Sequence, residues 1–247
     1  MKTATAASSK PWLKKRHWAS GRIKDRSSTF VFFSVLFSVI LNTLAWLAMV
    51  SVWRDHSGGA GLFALPVVLV ILAAAMLTWT IRQIMVRVKF GRSVFEMETI
   101  PGAIGGWLAG TIRVPVILDA RQVRIELECV GRYTIDSFGK RTMSEHRIFH
   151  RQQTLAGDLP GQDNCTCIPV AFEIPAKVPP SGRDGRDDIL WRLHARADEA
   201  GADYDAVFIV PVFVVPDYIA VTPRAEAVAA PLRNRSRNNH VLASSSE

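Results

Sequence analysis

Charge is missing from two long stretches of this chain. From Phe30 to Trp53, and again from Leu62 to Ile81, there is no Asp, Glu, Lys, Arg or His. At about 1.5 Å per residue, a helix over either run reaches across the roughly 30 Å hydrocarbon core of a bilayer. Cysteine is scarce as well: only Cys129, Cys165 and Cys167 occur. So small and odd a set does not make a disulfide framework and fits a reducing compartment. There is no G-x-S-x-G elbow and no P-loop lysine motif. The sequence signatures of the commonest serine hydrolases and nucleotide hydrolases are therefore absent.

Net charge is +8, which would suggest nucleic acid until the charge is localised. Residues 1–87 hold eleven basic and two acidic residues, whereas residues 88–222 hold fifteen basic and eighteen acidic. A nucleic-acid reader carries its positive charge on the folded module, so that class is set aside. The positive charge lies beside the apolar runs, where anionic lipid headgroups are found.

The two runs predict a membrane hairpin over residues 30–81, with spans at 30–53 and 62–81. A polar turn, Trp53-Arg-Asp-His-Ser-Gly-Gly-Ala-Gly61, joins them. Pro66 falls in the first turn of the second span, where its missing N–H costs little. A cleavable signal peptide is disfavoured, because its apolar core is shorter and ends in a small-x-small site. Lys2, Lys10, Lys14, Lys15, Arg16, Arg22, Lys24 and Arg26 precede the hairpin, and Arg82, Arg87, Lys89 and Arg92 follow it. The turn offers only Arg54. Positive residues stay inside, so both termini are expected in the cytosol of a bacterial cell, with the spans in its inner membrane. Trp12 and Trp18, with Trp46, Trp53 and Trp79, suit interfacial anchoring. Ser34, Ser38, Asn42 and Ala45 share one helix face, a candidate surface for packing against the second span or another copy. No span carries an ionisable residue, which counts against an ion pathway.

Beyond Val88 the period changes to two. Val123, Ile125, Leu127 and Cys129 alternate with Arg124, Glu126 and Glu128. Val170, Phe172 and Ile174 alternate with Pro169, Ala171 and Glu173. Ile189, Trp191, Leu193, Ala195 and Ala197 alternate with Leu190, Arg192, His194 and Arg196. These read as strands with one apolar face. Ala206–Val215 is an apolar run with Pro211 inside it, which argues for an edge or a bulge. Residues 131–165 read as a long strand pair with a mobile loop. Short strands between Gly/Pro turns predict an antiparallel β-sandwich over residues 88–222. Residues 1–29 form a basic cytosolic segment. Residues 223–247, rich in Ala, Asn, Arg and Ser, predict a disordered tail.

Phe172, Ile174, Pro175, then Pro179-Pro180-Ser181, then Ile189, Trp191 and Leu193, and finally Tyr204, Phe208, Pro211 and Val212 form a recognisable series. It resembles the second half of an arrestin-like β-sandwich. The whole layout is similar to that of bacterial membrane proteins joining a two-helix hairpin to such a domain. The resemblance implies an adaptor that binds proteins without a catalytic centre.

Other constellations point to ordinary structural roles. Cys165-x-Cys167 is tighter than the paired spacing of structural zinc, even with Cys129, His146 and His150 considered, so neither metal nor cofactor is expected. Gly102 to Gly106 reads as a turn. Asp184, Asp187, Asp188, Asp198, Glu199, Asp203 and Asp205 lack the spacing of a calcium loop and read as a solvated rim. Arg192, His194 and Arg196 are the candidate partner-binding face, offered on the assumption that an exposed strand can accept a partner strand. The expected function is a non-enzymatic membrane-anchored scaffold whose partners are lipids and another protein, with homo-oligomers considered. The alternatives are an enzyme or lipid or small-molecule sensor with a pocket between sandwich and bilayer, and an accessory transporter subunit.

Overall fold

The computed structural model describes residues 11–14, 16–25, 28–54, 64–137, 140–157, 159–162, 164, 165–184, 187–199, 203–216, 218–219 and 222–244. In chain order the elements are a 3-10 turn (Pro11–Lys14), α1 (Arg16–Ala19), β1 (Arg22–Lys24), α2 (Ser28–Arg54), α3 (Ala64–Phe90), β2 (Val94–Met97), β3 (Gly102–Ala103), β4 (Trp107–Val114), β5 (Gln122–Ser137), β6 (Lys140–Ala156), β7 (Gly161–Gln162), β8 (Cys165–Glu173), β9 (Gly182–Asp184), β10 (Asp187–Ala197), β11 (Tyr204–Val210), β12 (Val212–Phe213) and α4 (Arg224–Ser244). They form two compact units, one of Met1–Asp25 with Arg92–Glu247, the other of Arg26–Gly91.

The second unit is a pair of helices, α2 and α3, each long and apolar enough to cross a membrane. Ala45, Ala73, Ser38 and Thr80 are buried between them, while Phe33, Leu36, Ile40, Leu44, Ile71 and Leu72 face outward. An inside of small and hydroxyl side chains with an outside of large apolar ones reverses a soluble protein and suits lipid. The Thr80 hydroxyl donates to Ser34 O at 3.4 Å, linking the start of α2 to the later part of α3 as antiparallel packing requires. The predicted polar turn falls largely outside the described residues. Helix α3 continues to Phe90, nine residues past the predicted span, because Arg82, Arg87 and Lys89 interrupt hydropathy without weakening helix propensity.

The first unit is a β-sandwich. One sheet runs β1-β2-β4-β8-β7, the other β11-β10-β5-β6 with β9 also paired to β10. Both are antiparallel; the small β12–β3 pair is parallel. Phe95, Leu108, Ile112, Ile168, Val170 and Phe172 from one sheet meet Ile125, Leu127, Trp191, Leu193 and Phe208 from the other, all fully buried. The Phe95 and Phe208 rings lie 6.1 Å apart and join the sheets. Each such side chain contributes about 1.5–3 kcal/mol on burial. The alternation read in the sequence is thus the inner and outer face of each strand.

The Pro-Pro-Ser turn braces this core. The Trp191 indole donates to Pro179 O at 3.1 Å. Ser181 N donates to Val212 O at 2.7 Å, and its hydroxyl accepts from Val212 N at 2.9 Å. Pro211 breaks the strand there: β11 is an edge strand and ends at Val210, and the chain switches to pair with β3.

Three expectations need correction. Trp12 and Trp18 are buried against Phe213, at ring separations of 5.6 and 6.1 Å, and do not serve as bilayer anchors. An indole suits an apolar site with one polar neighbour, and Phe213 with Ile209 O supplies that here as an interface would elsewhere. The basic segment 1–29 is therefore partly a piece of the sandwich, its β1 pairing with β2. The expected disordered tail 223–247 is helical over Arg224–Ser244, since Ala225, Ala229 and Leu232 repeat at helical spacing and are buried. The strand pair is borne out: β5 pairs with β6 from Gln122↔Ala156 to Ser137↔Lys140, with one bulge between Cys129 and Val130. Residues 138–139, where a mobile loop was expected, lie outside the described residues.

Candidate functional site: the charged face of the sandwich

Strand β10 alternates cleanly. Ile189, Trp191, Leu193, Ala195 and Ala197 enter the core, which turns Arg192, His194 and Arg196 to the opposite face. Register then decides their neighbours. Arg192 sits between Glu128 of β5 and Ile209 of β11, and His194 between Glu126 and Val207. Arg196 sits between Arg124 and Asp205. The strand is central, so both its edges are hydrogen-bonded. The expectation that this strand could accept a partner strand is overturned, since no free N–H or C=O row remains on β10. Sheet order is a long-range property that alternation within one strand does not encode.

What remains is a lattice of alternating charge. The Arg192 guanidinium donates to both Glu145 oxygens, at 2.8 and 3.1 Å, and reaches Glu128 at 3.5 Å. Arg132 Nε reaches the same Glu145 at 2.6 Å. Arg147 Nε lies 3.7 Å from Glu128, and His194 Nε2 lies 3.3 Å from it without hydrogen-bonding geometry. Arg196 reaches Asp205 at 3.6 Å and Glu126 at 4.0 Å, and His150 lies 3.9 Å from Glu126. The lattice spans four strands.

The electrostatics follow from these contacts. Arg192 holds the Glu145 carboxyl below its ordinary range through their hydrogen bond, outweighing some desolvation, with Arg132 adding to it. Burial works against the charge of Arg192, but Glu145 and Glu128 overcome it and hold the proton more firmly. Partly exposed pairs of this kind are each worth about 0–1 kcal/mol, so the lattice orients side chains more than it stabilises the fold. Chemically it offers fixed, paired charges that could exchange their partners for those of another molecule. It presents no nucleophile aligned with a base.

The remaining predicted residues separate. Ser38 and Ala45 are buried and Ser34 O accepts from Thr80 of α3, whereas the Asn42 amide donates within α2 to Ser38 O at 2.8 Å. Cys129 lies in the core, its thiol pushed up to about 12 chiefly by burial. The His146 ring of β6 meets the Tyr133 ring of β5 at 5.6 Å, tilted by 56°. Cys165 and Cys167 stand in the other sheet. Among the described residues no group of three or more His, Cys, Asp or Glu is placed to hold a metal.

Comparison with known proteins adds little. No family model matches the chain, and no curated protein matches it. A solved structure it resembles is the sporulation control protein Spo0M of Bacillus subtilis, at 19% identity and a TM-score of 0.34. The match covers 50% of this chain, which spans 49% of that one.

Sequence reading missed two parts of the site's frame. The free edge of β11 is closed by the N-terminal segment: Val207 N donates to the Asp25 carboxylate at 3.0 Å, and the Trp18 indole donates to Ile209 O at 3.3 Å. The opposite corner is closed from β6, where Arg151 donates to Glu173 O at 3.0 Å and Gln153 to Ala171 O. The signal available for the second was Arg151 and Gln153 on the side of β6 that pairs with core positions of β5.

Proposed function

We propose that the protein is a non-enzymatic interaction module, anchored by a two-span hairpin in a bacterial inner membrane, that presents its β-sandwich to a protein partner on the cytosolic side. The observation that supports this most is which segments build the sandwich. β1, Trp12 and Trp18 precede the first apolar helix, the other strands follow the second, and β1 and β2 share one sheet. Two spans return a chain to its starting side of a bilayer, as this arrangement needs. Cleavage behind the first span would remove β1 and both tryptophans from the domain, which argues against a signal peptide. The Lys and Arg residues flanking the spans favour the cytosolic side. Anchoring raises the effective concentration of the domain toward membrane-held partners.

The surface that fits the reading is the charged face around Arg192, His194 and Arg196. Arg196 is its most exposed member, at 48%. The test is capture from gently solubilised native membranes with the full-length protein and with Arg196→Glu, whose fold is verified by its thermal transition. A specific partner held by the first and lost by the second supports the reading. Equal retention by both refutes this face as the contact.

A further inference from the structure

We propose that α4 is a releasable strap, which lifts off its seat on the outer face of the sandwich while both sheets stay folded. The seat is made of small side chains. Ala109 of β4 and Ala171 of β8 are cross-strand partners, and Ala225 of α4 packs on them with Trp107 alongside. Further along the helix, Ala229 and Leu232 are buried, while Val228 stays 39% exposed. Two alanines and one leucine remove far less apolar area from water than the aromatic and branched side chains that join the two sheets. The helix is therefore held more lightly than the strands beneath it.

Three features weaken the closed position further. Pro231 lies inside α4, where it has no N–H to give to Ala227 O and its ring crowds that carbonyl. Two polar atoms are buried without a hydrogen bond, Glu226 Oε2 on the helix and Gln153 Oε1 on β6. The Gln153 amide N–H donates to Ala171 O, which places this side chain at the seat. Such atoms regain water when the helix lifts, which favours the open form. Packing is also incomplete: a cavity of about 190 Å³ separates Ala225 and Val228 from Thr111, Cys167 and Pro169. Atoms lining a gap of this kind forgo the contacts that would hold the helix down.

A specific latch opposes them. The Glu98 carboxylate, just beyond β2, accepts from Arg224 N at 2.7 Å and from Ala225 N at 3.0 Å. It fixes where the helix starts and so defines the closed position. A defined latch over a lightly held helix makes a unit that opens on its own, below the free energy of global unfolding. Opening uncovers Ala109, Ala171 and Trp107, an apolar surface that the closed form hides. The strap thereby gates that surface.

The experiment is amide hydrogen exchange on detergent-solubilised full-length protein, wild type beside Pro231→Ala. In the wild type the α4 amides should exchange together, slower than a free chain but at least about tenfold faster than the core of β10. Pro231 is exposed, and alanine there restores the missing N–H without touching the seat. Pro231→Ala should therefore slow α4 exchange by about ten- to a hundredfold and leave β10 unchanged. Trypsin cleavage after Arg233 under native conditions reads the same opening and should slow by the same factor. Protection of α4 equal to that of β10, no protection in α4 at all, or exchange or cleavage that Pro231→Ala fails to slow would overturn the proposal.

Discussion

Replacing Trp18 with alanine tests whether the segment before the first span belongs to the sandwich. Trp18 is 6% exposed, meets Phe213 edge-on at 6.1 Å and donates its indole N–H to Ile209 O at 3.3 Å. Truncating a buried tryptophan costs about 3–5 kcal/mol, and the lost hydrogen bond falls within that range. Against a total stability of about 5–15 kcal/mol this is a large share. It corresponds to a rise of about a hundredfold to a few thousandfold in the opened population. The assay is amide hydrogen exchange on full-length protein in detergent, read at β11. The Val207 N–H, which donates to Asp25, should lose protection together with its neighbours. Leu13→Ala, at a side chain 52% exposed in the preceding 3-10 turn, should change protection by no more than about 0.5 kcal/mol. If Trp18→Ala leaves β11 protected and only loosens attachment to the bilayer, the indole is an interfacial anchor and the present reasoning is wrong.

Three further outcomes follow from the geometry. Glu98 caps α4, accepting from Arg224 N at 2.7 Å and Ala225 N at 3.0 Å, so Glu98→Ala should weaken the helix by about 0.5–2 kcal/mol and speed exchange over its first turn. A side chain at Gly110 would collide with backbone atoms of Glu96 and Met97, so Gly110→Ala should cost at least about 1–3 kcal/mol in denaturant unfolding. Glu145 has its carboxyl held below the ordinary value of 4.5, so its contribution is present at neutral pH and lost as pH falls through the lowered value. Any stability gap between wild type and Glu145→Gln should therefore close in acid, and a gap that widens there would reverse the assigned sign.

The parts of the fold legible in the sequence are those set by local pattern. Uncharged runs gave the two helices, and alternation at Val123–Cys129 and Ile189–Ala197 gave two strands and their inner faces. Pro211 marked an edge. What stayed hidden depends on contacts distant in sequence. β1 has three residues, too short for any period, and only its pairing with β2 makes it a strand. The composition of residues 224–244 looks solvated because only Ala225, Ala229 and Leu232 of the described side chains are buried apolar ones. The face of Arg192, His194 and Arg196 was legible, but its partners were not. Glu128 and Glu145 come from β5 and β6, and only register brings them beside Arg192. The central place of β10 was hidden for the same reason.

The most direct test of the recruitment reading is photo-crosslinking in native membranes from a probe placed at position 196, with a second probe at position 228 on α4 as the control. The account predicts a discrete protein adduct from position 196 and none from position 228. Adducts absent at 196, or equal at both positions, would contradict it.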